Sequence, residues 1–238
     1  MYQYENRISY CMIGNKGTLK IPSLIDLFQD SSLFHSHDAG YSLDYLDEVH
    51  RAWLVNNWHV IVKRMPKMGE RVIIKTWPYQ FKAVYGRRNY VLQTMDGEVL
   101  AIGDAHWFLF DSEKGLPVVP EPSDISNYEV EEKLDMEYKP RKVRYPDDLT
   151  FQETVNVYQN LTDTNKHINN GEYIRVATNY LPLDYPVCDV RIEYRNSAHI
   201  GDTLYIYTAK NEEYHYVVLC NEEKVPYAIA EYKKGSQE

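Results

Sequence analysis

The spacing of apolar and polar positions along the first half of the chain predicts one helix among several strands. Apolar residues at helical spacing follow Ser23, which we expect to be an N-cap, and this pattern stops near Gly40. Alternating positions separated by turn glycines predict strands on either side of the helix. These predicted strands cover residues 2–13, Trp53–Lys63, Glu70–Phe81, Arg88–Thr94 and Val99–Phe110.

The second half of the chain repeats this order of elements. Its predicted elements are a strand over Phe151–Val157, a helix with apolar residues from Tyr173 to Leu181, and strands beginning at Val190, Gly201, Tyr214 and Val225. One helix with a run of antiparallel strands, present twice, indicates two copies of one unit. A single helix wrapped by a curved antiparallel sheet is the hotdog unit. The predicted fold class is therefore α+β, a double hotdog.

The segment between the two halves is rich in proline and in mixed charges. Five of the 11 prolines lie between Pro117 and Pro146, which predicts an extended connection across the surface. The expected organisation is an N-terminal hotdog over residues 1–125, a linker over residues 126–148 and a C-terminal hotdog over residues 149–238.

Composition narrows the class of protein. No apolar run approaches the ~20 residues of a membrane span, and the N-terminus does not resemble a signal peptide. The three cysteines match no metal spacing, so we expect reduced thiols, a cytoplasmic location and no bound metal. A net charge of −9 argues against nucleic-acid binding. The 22 tyrosines suit sheet surfaces and amphipathic cavities.

Positive charge is concentrated in one window of this acidic chain. Between Lys63 and Arg88 there are eight basic residues and one acidic residue, Glu70. Such a local excess predicts docking of an acidic partner, and Arg87 and Arg88 at its end are candidate contacts. The alternative is that any one of these basic side chains lies on a solvent-exposed strand face and contacts no partner.

A polar loop before the second helix carries the candidate chemistry. Asp163, Asn165 and His167 precede Asn169, which we expect to cap the helix, with Glu172 at the spacing of a capping box. The loop's side chains would lie beside N–H groups at the positive end of the helix dipole. Such a site could polarise a carbonyl and move a proton.

The loop residues also carry a resemblance to a known family. Residues 163–173 resemble the D-x-N-x-H-x-N-N-x-x-Y motif of fatty acyl-ACP thioesterases, and residues 192–195 resemble that family's L/I-E-Y-R strand. The resemblance implies hydrolysis of the thioester between a fatty acyl chain and acyl carrier protein, without a cofactor. It places the acyl tunnel mainly in the N-terminal hotdog. It also implies that Asn165 and His167 are catalytic and that Asp163 lies beside them.

One departure from the family pattern affects the mechanism. The plant enzymes continue R-E-C after E-Y-R, whereas this chain has Asn196, Ser197 and Ala198. The missing thiol argues against a Cys–His mechanism, and the missing carboxylate leaves the general base open. Ser197 could position the water or act as a weak nucleophile. Glu193, expected on the same side of the same strand, could supply the carboxylate.

His167 is the preferred base, because an imidazole titrates near working pH. Asp163 could fix its tautomer, and Asn165 could bind the developing oxyanion. Asn169 and Asn170 are assigned to substrate binding, with capping alone as the alternative. The sequence allows three alternatives: an acyl-CoA as the substrate, a chain that only binds fatty acyl groups, and a homodimer instead of a monomer.

Overall fold

The computed structural model describes residues 1–162 and 167–235. The chain divides into two compact units, the first formed by Met1–Asn56 with Val62–Tyr138 and the second by Asn57–Ile61 with Lys139–Glu238. The division after Tyr138 falls inside the linker predicted from the prolines. No helix in the described ranges is long and apolar enough to cross a membrane.

The N-terminal unit contains an antiparallel sheet with the strand order β1-β3-β4-β5, one long helix and several short elements. In chain order these are β1 (Tyr2–Arg7), α1 (Ile21–Asp38), α2 (Leu43–Glu48), β2 (Arg51–Val62), β3 (Arg71–Lys82), β4 (Tyr85–Thr94), β5 (Val99–Asp111), β6 (Leu116–Pro117) and α3 (Pro122–Ile125). The predicted strands are confirmed to within a few residues, except that the first strand ends at Arg7. A 3-10 turn over Tyr10–Met12 follows it.

The start of α1 differs from the prediction. Lys20 is the N-cap and Pro22 lies in the first turn, so Ser23 is inside the helix and buried. Proline favours the first turn because its missing N–H would have no helical partner there. The predicted stop is confirmed, since Ala39 is the C-cap and Gly40 has a φ of +87°, which glycine adopts without strain.

The buried face of α1 lies against the sheet of its own unit. Phe28 stacks on Tyr90 of β4 with ring centroids 5.1 Å apart, and the Tyr4 hydroxyl of β1 donates to the Leu27 carbonyl at 3.1 Å. A Cβ on Gly103 of β5 would come within 3.1 Å of the Phe28 ring. Glycine at that position therefore lets the aromatic ring approach the strand.

The C-terminal unit has the strand order β8-β11-β10-β9-β7 and one helix. Its elements are β7 (Thr150–Asn156), α4 (Asn170–Thr178), β8 (Val187–Tyr194), β9 (Thr203–Lys210), β10 (Tyr214–Cys220) and β11 (Pro226–Lys234). Asn57–Ile61, in the second half of β2, also belongs to this unit and pairs antiparallel with β8. Ile174 and Ala177 of α4 are completely buried, whereas Leu181 of the predicted stripe lies beyond the helix end.

Alternate residues of β8 bind the segment that leads into the C-terminal unit. Asp189 accepts from Lys139 Nζ at 2.7 Å, and Glu193 accepts from the Val143 N–H at 2.7 Å. Arg191, between them, donates to backbone carbonyls of the same segment. These buried charges hold residues 139–143 of the predicted linker against the strand.

Candidate active site

The imidazole of His167 lies against a second imidazole that the sequence did not single out. His167 and His199 pair through an isolated β-bridge, and their rings meet edge to face with centroids 4.5 Å apart. His167 is half-buried, whereas the His199 side chain is 58% exposed. Two histidines from separate loops therefore meet at one edge of the C-terminal unit.

The loop after β8 is held in place from both sides. The Ala198 N–H donates to the Tyr173 hydroxyl at 2.8 Å, and the Ala198 carbonyl accepts from the Ile168 N–H at 3.0 Å. Asp202 accepts from the His199 backbone N–H at 2.8 Å, and the same Oδ2 lies 3.8 Å from His199 Nδ1. An imidazole thus lies beside His167, and that imidazole's own backbone is held by a carboxylate; neither residue was a candidate in the sequence analysis.

The predicted N-cap of α4 is confirmed, but the predicted capping box is not formed. The Asn169 side chain accepts from the Gly171 N–H at 2.9 Å, so its amide oxygen is committed to the helix start. In a capping box, the Glu172 side chain would accept from the Asn169 backbone N–H. That N–H donates instead to the Leu161 carbonyl at 2.9 Å. Glu172 instead accepts from Arg175 at 3.0 Å, the pairing expected of neighbours on one helix face.

Asn170 is the first residue of α4, and its carbonyl accepts from the Tyr194 hydroxyl at 3.0 Å. This contact ties the helix start to the end of β8. The predicted catalytic residues Asp163 and Asn165 lie outside the described residues.

The prediction that Ser197 lies on the same strand as Glu193 is wrong. Strand β8 ends at Tyr194, so Ser197 lies in an exposed loop and does not continue the alternation that starts at Glu193. Glu193 is only 4% exposed, and both of its carboxylate oxygens accept from the Arg195 guanidinium at 3.1 Å. With Val143 also bound, every described partner of this carboxylate is structural, and its role in place of the missing glutamate stays a prediction.

The basic window is less uniform than its sequence indicates. Arg64 is paired with both Glu70 and Glu98, so its charge is neutralised locally. Arg88 is only 7% exposed, which excludes it from a docking surface, and that part of the prediction is wrong. Arg87, its neighbour on β4, remains partly exposed and is retained as a candidate contact.

The N-terminal unit contains a cleft with an empty volume of about 400 Å³, which includes its open mouth. Its walls are largely aromatic and come from Trp53, Phe81, Trp107 and Tyr128. Arg88 is also part of its lining. A Cβ on Gly86 would lie 3.0 Å from Phe81 and 3.2 Å from Trp53, so this glycine allows the two rings to approach the strand.

Two of the three cysteine thiols, Cys188 and Cys220, lack the features of an activated nucleophile. Cys220 is buried, and this burial raises its pKa to about 11, which disfavours the reactive thiolate. Burial also raises the pKa of Cys188. Within residues 1–162 and 167–235, no group of three His, Cys, Asp or Glu side chains is placed to hold a metal ion.

Two helix-and-sheet units in tandem, with a histidine loop entering the second helix, define a double-hotdog protein. The sequence profile of the acyl-ACP thioesterase N-terminal domain matches residues 1–122, and that of the C-terminal domain matches residues 144–225. The chain belongs to the acyl-ACP thioesterase family.

Individual relatives are distant in sequence. The chain is 25% identical over 200 residues to the palmitoyl-acyl carrier protein thioesterase of Cuphea hookeriana, a chloroplast protein, with 77% of this chain and 48% of that protein covered. A chloroplast palmitoyl-acyl carrier protein thioesterase of Arabidopsis thaliana is 26% identical, with 68% and 42% covered. The chain thus spans about half the length of these curated relatives.

Solved structures agree in fold. An acyl-ACP thioesterase from Bacteroides thetaiotaomicron superposes with a TM-score of 0.89 at 18% identity, covering 98% of this chain and 97% of that one. The 12:0-ACP thioesterase of Umbellularia californica gives a TM-score of 0.83 at 18% identity, covering 99% and 97%. These similarities establish the double-hotdog fold of this chain.

Proposed function

We propose that this protein hydrolyses the thioester of fatty acyl-acyl carrier protein, releasing a free fatty acid and the carrier thiol. Family membership supports the reaction class. The observation that carries the proposal is the position of His167, two residues before the cap of α4 and in contact with His199. A base and the positive end of a helix dipole are thereby provided at one place.

The proposed mechanism begins with water. His167 removes a proton from a water molecule as that water attacks the thioester carbonyl, and the resulting imidazolium returns a proton to the departing thiolate. Negative charge that develops on the carbonyl oxygen is stabilised by the start of α4, with Asn165 proposed as a side-chain donor. Removal of one such donor typically raises the barrier by about 3 kcal/mol. Asp163 is proposed to orient the His167 ring.

The acyl chain is proposed to bind in the N-terminal unit. Its aromatic cleft is the apolar volume that such a chain requires. Acyl carrier protein is proposed as the partner, with Arg87 among the docking cations. Asn169 and Asn170 contribute through the geometry of the helix start, because their described contacts belong to the cap and to Tyr194.

The proposal is tested by release of free thiol from acyl-acyl carrier protein in a single turnover. Replacement His167→Ala should lower the rate by at least about 100-fold, since a general base contributes about 10²–10⁴-fold. His37→Ala, at an exposed position on α1, is the matched control and should keep the wild-type rate. Wild-type release by His167→Ala would refute the mechanism.

A fatty-acyl-binding module is the second candidate function. The run Asn196, Ser197 and Ala198 favours it, because neither the Glu nor the Cys of the plant pattern is present. Binding of acyl-acyl carrier protein without thiol release by the wild-type protein would establish this alternative. An acyl-CoA assayed beside the carrier-bound substrate decides between the two thioesters. A cytoplasmic location and a homodimer remain predictions.

A further inference from the structure

An arginine is buried on the inner face of the N-terminal sheet. Arg88 lies on β4, in the same alternating row as Tyr90, whose ring stacks on Phe28 of α1. Its Nη1 donates to His35 Nδ1 at 2.8 Å and to Thr76 Oγ1 at 3.3 Å. The guanidinium carbon lies 5.5 Å from the centre of the Tyr128 ring. Every one of these contacts is with an uncharged group or a ring.

The neutral state of His35 follows from its surroundings. Burial first, and the Arg88 charge second, lower the pKa of His35 to about 4. A neutral imidazole can accept the Arg88 hydrogen bond, whereas an imidazolium could not. His35 therefore serves as an acceptor and brings no charge to the pair at neutral pH.

No carboxylate among residues 1–162 and 167–235 pairs with Arg88. Buried charges are normally paired, because removing an ion from water is unfavourable unless an opposite charge compensates it. The ion pair of Arg51 with Asp111, at 2.7 Å, shows that the same unit pairs another arginine in this way. Among the described residues, Arg88 thus has no counter-charge, and only its Nη1 donates hydrogen bonds.

The uncompensated cation borders a cleft. Arg88, Ser32 and Ser36 line the same volume as the aromatic walls, so polar donors and apolar surface meet in one site. A guanidinium has its donors in a planar fork that matches the two oxygens of a carboxylate. The apolar walls match a hydrocarbon chain.

We propose that this cleft binds the carboxylate of an aliphatic acid, with Arg88 as its cationic partner and the aromatic walls around the chain. Arg87 also lines this cleft but is partly exposed, so Arg88 is the buried cation whose charge a carboxylate would compensate. The carboxylate has two sources: a free fatty acid, or the distal end of a dicarboxylic acyl thioester. The site extends the proposed function, since a free fatty acid is that reaction's product, but free-acid binding does not require hydrolysis.

The first arm of the test compares octanoate with octanamide, which has the same chain and no charge. Trp53 and Trp107 line the cleft, so their intrinsic fluorescence reports occupancy. Octanoate should bind the wild-type protein at least about tenfold more tightly than octanamide, and Arg88→Met should abolish that preference. The comparison of the two ligands on the wild-type protein stands even if a variant fails to fold.

The control is Lys82→Met, the same substitution and charge change at an exposed position of β3. This variant should keep the wild-type preference for octanoate. A preference that persists in Arg88→Met, or that is lost in Lys82→Met, would overturn the assignment to Arg88.

The second arm measures hydrolysis of thioesters whose acyl chains are of equal length and end in a carboxylate or a methyl group. A higher kcat/KM for the carboxylate end that disappears in Arg88→Met identifies the thioester as the source. A preference for octanoate over octanamide, with equal kcat/KM for the two chain ends, identifies the free fatty acid as the source of the carboxylate. Equal binding of octanoate and octanamide together with equal kcat/KM for the two chain ends would overturn the proposal, even if hydrolysis itself is confirmed.

Discussion

The ring of His199 meets the ring of His167 edge to face, with their centroids 4.5 Å apart and their planes at 86°. His199 is in turn linked to Asp202 through its backbone N–H. The proposed base therefore has an imidazole neighbour that is itself held by a carboxylate, in a chain that lacks the family's glutamate after E-Y-R. We propose that His199, held by Asp202, positions His167.

Replacement His199→Phe keeps an aromatic ring against His167 and removes the ionisable group. We expect kcat on acyl-acyl carrier protein to fall by about 10- to 100-fold, the usual effect of losing an orienting partner. A loss in kcat with an unchanged KM is expected of a residue that acts on the base and not on the substrate. An unchanged kcat, or an effect on KM alone, would contradict the positioning role.

Replacement Glu193→Gln tests whether this carboxylate is structural or catalytic. The Gln amide can still accept from the Val143 N–H, but it loses the charge that binds Arg195. We expect the free energy of unfolding, measured in urea, to fall by about 1–3 kcal/mol. The kcat, measured where the variant is still folded, should be unchanged. Glu213→Gln, at an exposed position, should change neither quantity. Lost kcat with unchanged stability would support the catalytic prediction.

Charge reversal at Arg87 tests the docking of acyl carrier protein. Arg87→Glu should raise the KM for the carrier-bound substrate several-fold and leave a small acyl thioester analogue unaffected, because only the carrier is strongly charged. The effect should shrink at high salt, which screens exposed charges. Lys210→Glu, an equal charge change on an exposed residue of β9, is the control. Equal effects on both substrates would exclude Arg87 from docking.

The half-buried His35 predicts a pH dependence of stability. Burial and the Arg88 charge lower its folded-state pKa to about 4, so below about pH 6.5 the unfolded chain binds the proton that the folded protein rejects. The free energy of unfolding should therefore fall between pH 7 and pH 5, by less than about 2 kcal/mol from this residue, because solvent screens the charge of a half-buried side chain. His35→Gln, which keeps an acceptor for Arg88, should reduce that fall in urea titrations. If the free energy of unfolding fell equally in the wild type and in His35→Gln, the pH dependence could not be assigned to His35.

Local patterns predict much of the secondary structure. Strand Tyr214–Cys220 has the start predicted from its alternation, and the strand predicted from Val99 extends one residue beyond its expected end. Alternation is reliable where one strand face is buried, because the side chains of successive residues point to opposite faces. The short helix Leu43–Glu48 escaped prediction, although Ser42 caps it through the Tyr45 N–H. It has too few turns for a clear apolar stripe.

The assignment of Asn57–Ile61 to the C-terminal unit could not be predicted from alternation. Its residues pair with β8, far along the chain, and strand partners are chosen by tertiary packing. The same limit applies to Glu193, since nothing in its own strand indicates that Val143 and Arg195 will bind it.

The sequence alone determined the double-hotdog fold, the histidine loop and the cap at Asn169, because these depend on local spacing and on bonds between near neighbours. Only the tertiary structure decided that His199 meets His167 and that Arg88 is buried against His35. A basic residue in a strand has the same local pattern whether it faces water or a helix. Its burial depends on which face of the sheet receives α1, and that is settled by contacts between residues distant in the chain.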